Sequence, residues 1–109
     1  ELVAYGEGKP YCVALVGLDS ESITEWAGRN GLGDASFEEI ARHEKTRELI
    51  SGYIDELNLQ LNRWEQVKKF SIIDRELSVE AGDLTPSMKL RRKVVVDSFA
   101  TDLTRLYEE

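Results

Sequence analysis

The sequence predicts an α+β domain, a small and mostly antiparallel sheet of about three strands packed with several helices. Tyr11 to Leu18 reads YCVALVGL, a continuous apolar run of strand length. A second strand candidate, Val67 to Ile73, follows a helical pattern rather than another strand, which argues against an all-β sandwich. Between the two, apolar residues recur at helical spacing.

The elements follow in order. Gly6, Gly8 and Pro10 punctuate a turn, so Leu2 to Tyr5 reads as the end of a strand preceding the apolar run. Asp19 or Ser20 is a cap for a helix that carries Ile23 and Trp26 on one face and stops at Asn30-Gly31. Ser36-Phe37-Glu38-Glu39 has the spacing of a capping box, in which the serine hydroxyl and the Glu39 carboxylate each satisfy an otherwise unpaired amide. From Glu44 onward Leu49, Tyr53, Leu57 and Leu61 recur every four residues, with Ile50, Ile54 and Trp64 beside them. That stripe predicts a long amphipathic helix packed on the core, with Gly52 inside it permitting close approach. Trp26 and Trp64 are read as core anchors rather than base-stacking platforms. Ala81 to Ser87 is a loop, because Gly82 tolerates left-handed angles and Pro86 biases Thr85 away from helix. A last helical stretch carries Val95, Phe99, Leu103 and Leu106, and its triplet Val94 to Val96 needs burial to offset weak helix propensity.

Composition bounds the function. The chain has 109 residues, enough for one core and little more, with the 41% apolar and 32% charged residues of a folded domain. No apolar run approaches the ~20 residues of a membrane-spanning helix, and no basic-then-apolar signal segment opens the chain. It begins at Glu1 without a methionine, which suggests a segment of a longer polypeptide. A net charge of −7 disfavours general nucleic-acid binding. The single cysteine, Cys12, points to a reducing, cytoplasmic setting, and its apolar neighbours predict a buried, inert thiol. His43 has no second histidine or cysteine nearby, so no metal site is expected. Gly6 to Lys9, GEGK, lacks the spacing and the following Ser or Thr of a phosphate loop and reads as a strand connection.

Against that acidic background Lys89, Arg91, Arg92 and Lys93 place four cations within five residues. The stretch reads GDLTPSMKLRRK, with a lysine three residues after a proline in a loop. A compact cation on a long stem suits an anionic reaction centre that is assembled and then released. By spacing alone, such a run is more often a solvated face.

The stretch GDLTPSMKLRRKVVVDSF resembles the closing motif of acyl-adenylate-forming enzymes, specifically the long-chain acyl-CoA synthetases, in which Gly-acid-Leu-Thr-Pro precedes a lysine and a basic cluster. YGEGKPYCVALVGLD is similar to a second family segment, and Asn30-Gly31-Leu32 after Trp26 to a weaker third. These matches run in family order from about Tyr5 to Tyr107. Short-chain and luciferase-like relatives often have Gly immediately before the lysine; Met88 stands there in this chain, as bulky apolar residues do in the long-chain group.

The resemblance implies the C-terminal lid domain, residues 1–109, of an ATP-dependent long-chain fatty-acid–CoA ligase whose N-terminal adenylation domain lies outside the chain. It implies that Lys89 acts in the adenylation half-reaction, with Gly82, Thr85 and Pro86 as the loop that positions it. Arg91, Arg92 and Lys93 are read first as ion-paired or solvated, with phosphate or CoA contact as the alternative. ATP, Mg2+ and CoA are the implied ligands of the full-length enzyme, none of them bound by this domain alone, which by itself is expected to be inactive. The implied partners are the N-terminal domain, a fatty acid and a membrane surface met peripherally. The alternatives are a fatty-acyl-AMP ligase or other adenylating enzyme with a non-CoA acceptor, and a noncatalytic interaction module of the same fold.

Overall fold

A computed structural model describes residues 2–6 and 9–108; the expectations placed on Glu1 and Gly8 lie outside the described residues. The chain divides into two compact units, Glu1–Glu76 and Leu77–Glu109. The first holds β1 (Leu2–Tyr5), β2 (Cys12–Val16), α1 (Ser20–Arg29), α2 (Phe37–Arg42), α3 (Glu44–Asn58) and β3 (Val67–Ile72). The second holds α4 (Arg92–Ser98) and α5 (Ala100–Glu108).

The α+β class and the three strands agree with the sequence; the strand directions do not. The sheet has the order β1-β2-β3, and β1 pairs with β2 antiparallel while β3 pairs with β2 parallel. The sheet is therefore mixed rather than mostly antiparallel. The cause is the connection: α1, α2 and α3 separate β2 from β3, and a helical crossover returns the chain in its original direction. A central strand covered on both faces also explains why β2 is a continuous apolar run instead of an alternating one. Ala14 and Val16 pack in one cluster with Ile50, Ile54, Val67 and Phe70. Val13 and Leu15 alternate to the opposite face and are fully buried as well. Removing a side chain such as Leu15 from water stabilises the fold by about 2 kcal/mol.

Local capping appears as the sequence predicts. Asp19 caps α1, its carboxylate accepting from the Ser22 N–H at 3.0 Å. The side-chain and backbone hydrogen bonds from Ser22 hold its pKa below the ordinary value. The helix stops at Asn30; Gly31 takes φ 79°, and the Leu32 N–H closes back on the Ala27 carbonyl at 2.8 Å in a Schellman arrangement. Ser36 and Glu39 form the reciprocal capping box of α2, at 3.0 and 3.1 Å, and the backbone and hydroxyl bonds from Ser36 lower the Glu39 pKa. His43 caps α3, its Nδ1 accepting from the Lys45 N–H at 3.1 Å, which gives this lone histidine a structural role.

The apolar stripe of α3 is narrower than its sequence suggests. Thr46, Ile50 and Ile54 form the buried line, whereas Tyr53 is exposed. The helix ends at Asn58, so Leu61 and Trp64 lie beyond it, and Trp64 is 77% exposed rather than a core anchor. Asn58 ends the helix by turning its amide to β3: it accepts from the Val67 N–H at 2.8 Å and donates to the Val67 carbonyl at 2.9 Å. Gly52 is exposed, and a Cβ there would meet nothing within 4 Å, so no close packing requires it. Cys12, expected to be buried, is only half-buried at the irregular start of β2, with its Sγ 3.7 Å from the Trp64 carbonyl. In the second unit the last helical stretch is two helices broken at Phe99, and Val95, Phe99, Leu103 and Leu106 are buried. Among the described residues, no helix is long and apolar enough to cross a membrane.

Candidate functional site

The Gly82–Lys93 segment lies within the second unit and is built by two successive turns. The first gathers on Ser78. Its hydroxyl accepts from the Ala81 N–H at 3.1 Å, and its carbonyl accepts from the Asp83 and Leu84 N–H groups at 3.1 and 3.3 Å. Gly82 closes this turn at φ 83°, a left-handed angle that side chains rarely adopt. Asp83 is fully buried, and its carboxylate accepts from the Ser78 N–H at 3.1 Å. A loop aspartate after a glycine reads as solvent-facing, so nothing in local sequence flags this burial. The only signal is the acidic position of the Gly-acid-Leu-Thr-Pro motif.

The second turn is a short hairpin that presents Lys89. The Arg91 N–H donates to the Asp83 carbonyl at 2.7 Å, and Leu84 bridges Leu90 antiparallel. Next toward the tip, the Thr85 N–H donates to the Lys89 carbonyl at 2.8 Å and the Met88 N–H donates to the Thr85 carbonyl at 2.8 Å. The Thr85 hydroxyl oxygen accepts from the Lys89 N–H at 3.1 Å and lies 3.1 Å from the Ser87 hydroxyl. Pro86-Ser87-Met88 is therefore a three-residue connection, a turn followed by a left-handed residue. Pro86 pre-sets the second position of the turn.

Of the sequence-predicted residues, Thr85 and Lys89 are joined by hydrogen bonds, Pro86 lies in the turn between them, and Gly82 closes the turn before. Both main-chain groups of Lys89 are held by Thr85, and its side chain is exposed. The backbone is fixed and only the long stem is free to move. Among the described residues, no hydrogen bond or ion pair holds the Lys89 ammonium. Arg91 ends the hairpin and precedes α4, and Arg92 and Lys93 occupy the first turn of that helix. Arg91, Arg92 and Lys93 are all exposed. Cations at a helix N-terminus oppose the helix dipole, and α4 has neither an acidic residue in its first turn nor a side-chain cap. Among the described residues, no group of three or more His, Cys, Asp or Glu is placed to hold a metal ion.

Met88 is the strained member, a non-glycine residue at φ 65° with an exposed side chain. A left-handed L-residue costs roughly 1–2 kcal/mol. Met88→Gly should accordingly raise stability by about 1 kcal/mol, read as a higher urea midpoint at unchanged slope. A lower midpoint would show that the Met88 side chain makes a contact that outweighs its strain.

The chain is similar over its whole length to curated fatty-acid–CoA ligases. It is 32% identical over 110 aligned positions to the long-chain-fatty-acid–CoA ligase FadD15 of Mycobacterium tuberculosis, covering 100% of this chain and 18% of that protein. It is 29% identical to the long-chain-fatty-acid–CoA ligase 1 of Cavia porcellus, covering 98% of this chain and 16% of that protein. The chain thus spans less than a fifth of the length of these relatives. Among solved structures, the adenylation domain of a carboxylate reductase from Mycobacterium chelonae superposes with a TM-score of 0.68 at 21% identity, over 100% of this chain and 15% of that one. The A-PCP didomain of a carboxylic acid reductase from Segniliparus rugosus, in complex with AMP, gives 0.69 at 20% identity, over 99% of this chain and 14% of that one. These two establish a shared fold. No family model matches the chain.

Proposed function

We propose that the chain belongs to the long-chain fatty-acid–CoA ligases and is the C-terminal lid domain of such an enzyme, with Lys89 as its catalytic residue; the similarity to these ligases over the whole chain supports this. The full-length protein would convert fatty acid, ATP and CoA to acyl-CoA, AMP and pyrophosphate through an acyl-adenylate. The observation that carries the reading is the Lys89 hairpin, in which a fixed backbone presents an exposed ammonium at the position of the family motif.

The chemistry follows from where charge develops. When a carboxylate attacks the α-phosphate, negative charge gathers on oxygens of both groups, and a compact cation placed between them lowers the barrier. Lysine supplies a point charge on a flexible stem, and the hairpin supplies a fixed base for that stem. Fatty-acid–CoA ligases use ATP, CoA and Mg2+ in general. Arg91, Arg92 and Lys93 would offer further positive charge to phosphate oxygens of ATP or CoA. The half-exposed free Cys12 accords with a reducing compartment, so the enzyme would work in the cytoplasm or at a membrane facing it.

The acceptor is the test. Purified full-length protein should form acyl-CoA from fatty acid, ATP and CoA, with AMP released in equal amount. AMP release that needs a carrier protein in place of CoA would move the enzyme to the acyl-AMP ligases. No AMP release with any acceptor would leave a noncatalytic module.

A further inference from the structure

Leu59 and Trp64 are the two most exposed large apolar side chains among the described residues, at 86% and 77%, and both lie in the loop between α3 and β3. The loop is tied at its neck. Asn58 pairs with both main-chain groups of Val67, and the Gln66 side-chain amide donates to the Asn58 carbonyl at 3.1 Å. Within it the Gln60 and Leu61 N–H groups close turns on Leu57 and Asn58, and the Asn62 amide donates to the Glu65 carboxylate. The Trp64 carbonyl accepts from the Cys12 thiol at 3.7 Å. A segment this well hydrogen-bonded holds its two apolar side chains out by construction.

Cations accompany them. Arg63, Trp64, Gln66 and Lys68 line a recess of about 450 Å3 together with Pro10 and Tyr11. The Lys69 ammonium sits 5.9 Å from the centre of the Tyr11 ring. Residues 59–70 therefore carry Arg63, Lys68 and Lys69 against a single carboxylate, Glu65, in a chain of net charge −7. A soluble phosphate-bearing ligand would use the recess and its cations but would give Leu59 no role. A bilayer surface takes every component: the tryptophan and leucine enter the interface, and the cations meet lipid phosphates. We propose that the Leu59–Gln66 loop, with Lys68 beside it, is a contact surface for an anionic membrane. The carboxylates of Asp55 and Glu56 precede the loop on α3, so the attraction is short-ranged and sensitive to salt.

Co-sedimentation of the chain with lipid vesicles tests this. It should bind vesicles of phosphatidylcholine mixed with phosphatidylglycerol, be released by salt, and bind phosphatidylcholine alone far more weakly. Arg63→Ser with Lys68→Ser should weaken binding about 30-fold, the effect of ~1 kcal/mol for each cation near an anionic surface. Leu59→Ser with Trp64→Ser should abolish binding. All four side chains are exposed, so circular dichroism of both variants should match the parent. Absence of binding to anionic vesicles, or equal binding by both variants, would overturn the proposal. So would binding of inorganic phosphate or AMP that depends on Arg63 and Lys68 while vesicles are ignored.

Discussion

Lys89→Ala in the full-length enzyme should cut pyrophosphate release from ATP and fatty acid by ~10²–10³, the usual cost of losing one preorganised charge donor. Supplied acyl-adenylate and CoA should still yield thioester at nearly the parent rate, because the thiol attacks a ready-made anhydride and no longer needs the cation of the first step. Lys89→Arg should also be poor, since a planar fork does not reproduce a compact ammonium. Among the described residues no hydrogen bond or ion pair holds the Lys89 ammonium, and alanine keeps the main-chain bonds to Thr85, so the urea midpoint of Lys89→Ala should stay within error of the parent. Equal losses in both half-reactions would point to damaged docking between domains. Unchanged adenylation would remove Lys89 from the mechanism.

Asp83→Ala should destabilise the chain by about 2 kcal/mol, the usual cost of stripping a buried donor of its acceptor. The Asp83 carboxylate is fully buried and accepts from the Ser78 N–H, while its own N–H and carbonyl join the Ser78 turn to the first rung of the hairpin. Alanine leaves those main-chain bonds in place but strips the Ser78 N–H of its acceptor. In the full-length enzyme the same change should slow adenylation, because the base of the Lys89 hairpin loses its anchor. Asp83→Asn keeps an oxygen acceptor at that point and should recover most of both losses. That rescue separates a positioning role from a catalytic one. A loss under 0.5 kcal/mol in Asp83→Ala, by urea titration, would show that the main-chain bonds suffice.

What the sequence made legible was local. The Asp19 cap, the Ser36–Glu39 box and the Asn30-Gly31 stop each depend on side chains a few residues apart, and each forms as read. The left-handed angle of Gly82 and the turn at Pro86 are likewise set within one short segment. Features set by distant partners were not legible. The direction of β3 depends on the helical crossover, and the buried line of α3 runs through Ile50 and Ile54 because these pack against Ala14, Val16 and Phe70. Trp64 has core composition but sits in a loop whose neck is tied by Asn58. Asp83 reads as polar loop, and only the closed turn reveals a buried carboxylate.

The parallel pairing of β2 with β3 has a consequence for biogenesis. During translation β1 and β2 emerge first and can zip as neighbours, yet the other edge of β2 stays open until positions 67–72 have been made and folded back. Until then Val13, Ala14 and Leu15, which end fully buried, lie on a strand with one unpaired edge, the kind of template that invites pairing with another chain. Position 12 must meet position 67 before the sheet is complete, so closure waits until the whole helical crossover has been made. A nascent chain with β2 released from the ribosome and β3 still unmade would therefore carry an uncovered strand edge, a stretch for a holdase chaperone to shield.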